Sequence, residues 1–181
     1  MNASRVPPAL VPLYSREEIR ARVQELARTL SDSFAEREPL VVGVLKGAFL
    51  LTADLVREMQ VPIKVDFVQA GSYSQGTKSA GTVHLLKDLG CDIAGQDVIL
   101  VDTVLDTGLT LRFLLDLFSQ RHPRSLTTCV LIDKQQRRQV TVTADHVGFV
   151  LADGFIVGYG LDHGDSYRNL DGIYLLEDAG G

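Results

Sequence analysis

The stretch that most constrains this chain is Val98-Ile99-Leu100-Val101-Asp102-Thr103-Val104-Leu105-Asp106-Thr107-Gly108-Leu109-Thr110. Val98 to Val101 is continuously apolar, which suits a strand buried on both faces in a parallel sheet. The pattern ends that strand at Asp102. A loop rich in small hydroxyl residues follows and opens a helix near Leu109. The backbone N–H groups of Asp106 to Thr110 would then point out of a helix N-terminus, where unpaired donors and the helix dipole hold phosphate. Thr107 and Thr110 can add hydroxyl hydrogen bonds, and Gly108 allows close backbone approach. Asp102 and Asp106 beside such a nest must serve something other than phosphate: sugar hydroxyls, Mg²⁺ or a proton. The structural alternative is a strand-to-helix turn with an aspartate as N-cap.

The remaining pattern supplies the frame. Residues 1–14 carry Pro7, Pro8 and Pro12 and read as an extended arm. Ser15 with Glu18 forms a capping box ahead of Ile19, Val23, Leu26, Leu30 and Phe34 at helical spacing, and Pro39 ends that helix. Leu40–Leu45 reads as a buried strand, Phe49–Met59 as a helix, and Ile63–Val68 as a strand alternating with period two. Gly71–Gly81 has almost nothing to bury and reads as a mobile loop. Thr82–Leu86, Leu126–Ile132, Val147–Leu151 and Phe155–Tyr159 read as strands, and Leu109–Phe118 as a helix. Arg137 and Arg138 mark an exposed turn, and 162–168 is polar and irregular. Strands alternating with helices imply an α/β fold with a parallel sheet covered on both faces, and ligands bind beyond the carboxyl ends of its strands.

A length of 181 residues suits one domain spanning 1–181. The net charge of −5 counts against nucleic-acid binding, so an anionic substrate needs local cations or a metal. Cys91 and Cys129 have no metal-ligand spacing, and Cys129 sits in an apolar run. The N-terminus lacks a signal-peptide core, and no run reaches the ~20 apolar residues of a membrane span, so a cytoplasmic protein is expected. The four histidines show no pairing motif.

The 98–110 segment resembles the phosphoribosyl-diphosphate (PRPP) signature of type I phosphoribosyltransferases, and the resemblance extends over roughly residues 10–178, to the hypoxanthine-guanine branch. Val44-Leu45-Lys46-Gly47-Ala48 is similar to the family's pyrophosphate loop, and Gly71-Ser72-Tyr73 to the start of its flexible catalytic loop, here 71–81. Leu131-Ile132-Asp133-Lys134 is similar to the strand end bearing the purine-reading lysine. Phe155 through Asp162 is similar to the base-stacking and metal segment, and Arg168 to the pyrophosphate arginine. The resemblance implies a central parallel sheet flanked by helices, with a small hood formed from the chain termini.

It also implies roles. Asp106 takes the N7 proton of the purine. The segment Asp106, Thr107, Gly108, Leu109 and Thr110 holds the 5-phosphate of PRPP. Lys46 and Gly47 donate backbone groups to pyrophosphate, with Arg168 beside it. Lys134 donates to O6 of a 6-oxo purine, since an ammonium has donors only. Phe155 stacks on the base, the Ile156 backbone pairs with its edge, and Ser72 and Tyr73 close over the reacting centre. Asp162 ligates Mg²⁺. Where the family has two adjacent acids gripping the ribose hydroxyls, directly or through Mg²⁺, this chain has Asp102-Thr103, and Thr103 brings a hydrogen bond without a charge. The implied function is purine salvage: Mg²⁺-dependent transfer of phosphoribosyl from PRPP to hypoxanthine or guanine by a homodimer or homotetramer, with no nucleic-acid or membrane partner. The alternative is a weakly catalytic or non-catalytic PRPP- or nucleotide-sensing regulator of the same fold, which Thr103 makes conceivable. An oligomeric scaffold is the third reading.

Overall fold

A computed structural model describes residues 9–72 and 83–177. In chain order the elements are β1 (Ala9–Tyr14), α1 (Arg16–Ser33), β2 (Leu40–Leu45), α2 (Phe49–Glu58), β3 (Lys64–Ser72), β4 (Val83–Lys87), β5 (Asp97–Leu105), α3 (Leu109–Ser119), β6 (Ser125–Lys134), β7 (His146–Leu151), β8 (Ile156–Val157) and β9 (Ile173–Glu177).

Six strands form one sheet in the order β4-β3-β2-β5-β6-β7. All neighbours are parallel except β3 and β4. Strand alternation divides the core in two. Val41, Ile99, Val101, Cys129 and Leu131 face α1 and α2, whereas Val42, Val98, Leu100 and Val130 face α3. Both faces of β5 are therefore packed along Val98–Val101, which is why that run is continuously apolar. The expected α/β fold with a helix-flanked parallel sheet is present. Among the described residues no helix is long and apolar enough to cross a membrane.

Local chemistry sets the element ends. The Ser15 hydroxyl accepts from Glu18 N–H (3.2 Å) while the Glu18 carboxylate accepts from Ser15 N–H (2.8 Å), closing the capping box. Ile19, Val23, Leu26 and Leu30 on α1 and its C-cap Phe34 are all buried. The helix closes at Ser33 with Phe34 as C-cap, ahead of Pro39, and Glu36 then enters the left-handed region (φ 62°). The period-two reading of residues 63–68 is corrected: Val68 is fully buried, whereas Val65 shares the face of its partner Val41 but is 46% exposed near the sheet edge. Gly71 and Ser72 continue β3 and pair with His84 and Val83, so the expected 71–81 loop cannot begin at Gly71. The rest of that loop lies outside the described residues, as do Pro7 and Pro8.

A second, antiparallel sheet in the order β1-β9-β8 joins the two ends of the described chain to residues 156–157. It forms the small hood. The arm expected at residues 1–14 is thus a paired strand from Ala9 onward. The strand expected at 155–159 is only two residues long, because Gly158, Tyr159 and Gly160 all have positive φ and turn the chain. Tyr14 stacks on Phe149 at 4.0 Å and fastens the hood to the main sheet.

Candidate active site

β5 does not end at Asp102 as its composition suggests; it pairs with β6 as far as Leu105, opposite Asp133. Asp102 and Thr103 therefore lie on opposite faces of one strand. Asp102 joins Lys46, Gly47, Leu105, Asp106, Thr107, Gly108, Thr110, Leu161, Asp162 and Arg168 around a cleft of about 320 Å³. Thr103 is fully buried on the other face. Its hydroxyl has no hydrogen-bond partner and lies 4.0 Å from where a Cβ on Gly47 would stand. Thr103, expected to help hold PRPP, is thus not among the residues that line this cleft. Strand alternation puts it beneath the loop bearing Gly47. The Asp102 carboxylate accepts from Thr103 N–H (2.8 Å), and burial pushes its pKa up to about 7 against the opposing N–H groups of Thr103 and Val104.

The helix opens at Leu109, where it was expected. Gly108 (φ 85°) is the N-cap of α3, so neither Asp102 nor Asp106 is the cap. A Cβ on Gly108 would stand 2.7 Å from Val142 and 2.8 Å from the stem of Arg138, which leaves no room for a side chain. The Thr107 hydroxyl accepts from Leu109 N–H (3.4 Å) and stiffens the turn. Leu109, expected among the phosphate-binding residues, does not line the cleft.

Asp106 stands one residue beyond the last β5–β6 pair. One oxygen, Oδ2, faces Lys134 Nζ (3.4 Å) and Arg137 Nη1 (3.5 Å). The other, Oδ1, is buried and has no partner, a free acceptor beside the cleft. Lys134 is only 3% exposed, a buried cation rather than a surface one.

On the hood side, Gly160 (φ 93°) leaves its Cβ position 2.1 Å from the Gly47 carbonyl oxygen. This close approach brings the 155–168 segment against the loop after β2. Arg168 donates to the Gly160 carbonyl (2.7 Å) and forms ion pairs with Asp162 (2.7 Å) and Asp165 (3.3 Å). Lys46 reaches Asp165 at 3.1 Å, and these hydrogen bonds from Lys46 and Arg168 hold the Asp165 carboxyl below its ordinary range. The Leu45–Lys46 peptide bond is cis. Phe155 is 46% exposed and meets His163 edge-on at 5.3 Å. Leu176 N–H donates to Phe155 O (2.8 Å), which makes 155/176 a hydrogen-bonded pair. Ile156, opposite Leu175, then turns its own N–H and C=O away from β9. Ser72 ends β3, and Tyr73 lies outside the described residues.

Three participants were missed from sequence. Arg138, expected in an exposed turn, folds inward, because the carbonyls after β5 and β6 converge on its guanidinium. Arg137 reaches Asp106, and Asp165 links Lys46 to Arg168. The arginine doublet just after Lys134 was the available signal.

Among the described residues no three metal-ligating side chains converge, so the protein alone builds no metal cage. Asp162 and Asp102 nonetheless share one cleft with a phosphate nest, and Mg²⁺ is usually held by one or two carboxylates together with substrate phosphates. The donor set fits that ion.

A parallel sheet with a nest beyond its central strand and a hood across it defines a class, and comparison with known proteins agrees. Residues 13–163 match the family model described as phosphoribosyl transferase domain, and the chain belongs to that family. It is 48% identical over 167 residues to the hypoxanthine-guanine phosphoribosyltransferase of Aquifex aeolicus, covering 92% of this chain and 94% of that one. A Bacillus anthracis hypoxanthine-guanine phosphoribosyltransferase crystal structure superposes with a TM-score of 0.86 at 44% identity, covering 91% and 97% of the two chains. A hypoxanthine phosphoribosyltransferase from Trypanosoma cruzi gives 0.87 at 36% identity, with 97% and 95% covered. The chain is a pentosyltransferase of the hypoxanthine-guanine phosphoribosyltransferase branch.

Proposed function

We propose that this enzyme transfers the 5-phosphoribosyl group of PRPP to N9 of hypoxanthine or guanine, giving IMP or GMP and pyrophosphate. The observation that carries the reading is the unpartnered, buried Oδ1 of Asp106 beside a helix-terminal nest. The N–H groups from Asp106 to Thr110 hold the 5-phosphate. Asp102 faces the ribose hydroxyls from the cleft wall. Lys134 donates to the 6-oxo group, Ile156 offers its free backbone edge, and the exposed Phe155 ring stacks on the base.

The N9–C1 bond forms as the bond from C1 to pyrophosphate oxygen breaks, and the departing oxygen keeps the electron pair. Asp106 Oδ1 accepts the proton that the purine loses at N7. Arg168 and the Lys46–Gly47 backbone hold the departing pyrophosphate, where a planar guanidinium suits paired phosphate oxygens. Mg²⁺, held by Asp162 and Asp102 with substrate oxygens, would supply charge neutralisation there.

Incubation with PRPP, Mg²⁺ and hypoxanthine, guanine, xanthine or adenine singly, with detection of nucleotide, tests the reading. Product from hypoxanthine or guanine but not adenine is expected. No nucleotide from any base overturns it.

A further inference from the structure

The β5–β6 ladder ends at Leu105↔Asp133, and both Asp106 and Lys134 stand just past that last pair. No β5–β6 pair therefore joins them, although Lys134 stays paired to Leu151 of β7. Arg138 fills the gap. Its Nε donates to Asp106 O (3.1 Å), and Nη2 donates to Leu105 O (3.4 Å), Lys134 O (3.3 Å) and a carboxylate oxygen of Asp133. Its Nη1 donates to Val142 O. A guanidinium carries five N–H donors in one rigid plane, and each nitrogen here is engaged with protein oxygen. Nε and Nη2 are fully committed to protein oxygen, and Nη1 keeps one N–H beyond its bond to Val142 O. Its stem also packs under Gly108, and the next residue extends the tie, because Gln139 N–H donates to Thr107 O at 2.9 Å.

The structure assigns Arg138 the part of a positioning residue. It locks the loop bearing Asp106 to the strand end bearing Lys134, so that the proton acceptor and the base-reading ammonium keep a fixed separation across the purine. This rests on the reading of Asp106 and Lys134 given above. The Asp133 carboxylate, 15% exposed, is the counterion that draws the guanidinium inward. Lysine keeps the charge and much of the stem but has no planar fork, so it cannot span Asp106, Leu105 and Lys134 together. A displacement of ~1 Å at a reacting group can cost about 10²-fold in rate.

The test is steady-state kinetics of wild type, Arg138→Lys, Lys134→Met and the double variant, with PRPP binding measured by calorimetry. In Arg138→Lys, kcat should fall about 10²-fold and the KM for hypoxanthine should rise, while PRPP affinity stays close to wild type. In the double variant, the KM for hypoxanthine should rise no further than in Lys134→Met, because Arg138 acts on the base through Lys134. Should Arg138→Lys not fold, Arg138→Ala should regain turnover with added guanidinium but not with ammonium. A wild type that forms no nucleotide overturns the functional reading. An active wild type with unchanged kcat in Arg138→Lys, fully multiplicative effects in the double variant, or equal rescue by ammonium overturns the role of Arg138 alone.

Discussion

Burial holds Asp102 near the midpoint of its ionisation at neutral pH, with a pKa of about 7 against 3.8 for the free group. The unfolded chain ionises this residue at the lower value. The stability owed to its neutral form is thus complete below pH 3.8 and is lost as pH rises toward 7. Asp102→Asn should therefore raise the thermal midpoint of the ligand-free, metal-free protein at pH 8 and leave it nearly unchanged at pH 4. Equal shifts at both values would show that Asp102 is not held neutral by burial. Its neighbour Thr103 makes a separate point. A buried hydroxyl without a partner costs about 1–3 kcal/mol. Thr103→Val keeps the shape and should stabilise the fold by about 1 kcal/mol in urea unfolding, with PRPP affinity unchanged. A loss of affinity would return Thr103 to the substrate wall.

Between elements, the telling contact is that of the hood with the loop after β2. Gly160→Ala would place a methyl 2.1 Å from the Gly47 carbonyl oxygen at a backbone angle unfavourable to alanine, and should cost about 2–4 kcal/mol. Urea unfolding checks the stability, and PRPP titration should show weakened binding, because Lys46, Gly47 and Arg168 would no longer share one cleft. Unchanged binding would mean that the hood does not set the cleft. Much of the frame was legible in the sequence: the Ser15–Glu18 box, the apolar stripe of α1, and β2 with its bounds of Leu40–Leu45. The far end of β5 was not, since the strand read as ending at Asp102 with a loop from Thr103. Asp102 is polar in a central strand because that strand's end forms one wall of the cleft. The strand β9 was missed because its partner β1 lies at the other end of the chain, and no local pattern reports so distant a pairing. Arg138 was misread because a charged doublet signals solvent, while the carbonyls that turn it inward come from two other segments.

At the scale of the whole molecule, an acidic chain of net charge −5 gathers its cations where an anionic substrate needs them. Lys46 and Arg168 reach the cleft from the loop after β2 and from the hood, while Lys134 and Arg137 flank Asp106 from β6 and the loop after it. The nest at α3 adds uncharged donors, so phosphate recognition does not require a basic surface. Catalysis in this account centres on one oxygen atom, Asp106 Oδ1. Because Gly108 rather than Asp106 caps α3, Asp106→Asn leaves the nest and its helix intact. The most direct measurement is the turnover of Asp106→Asn with PRPP and hypoxanthine, alongside calorimetric PRPP binding. The account predicts kcat lower by about 10²–10⁴-fold with PRPP affinity close to wild type. A kcat near that of the wild type would contradict it.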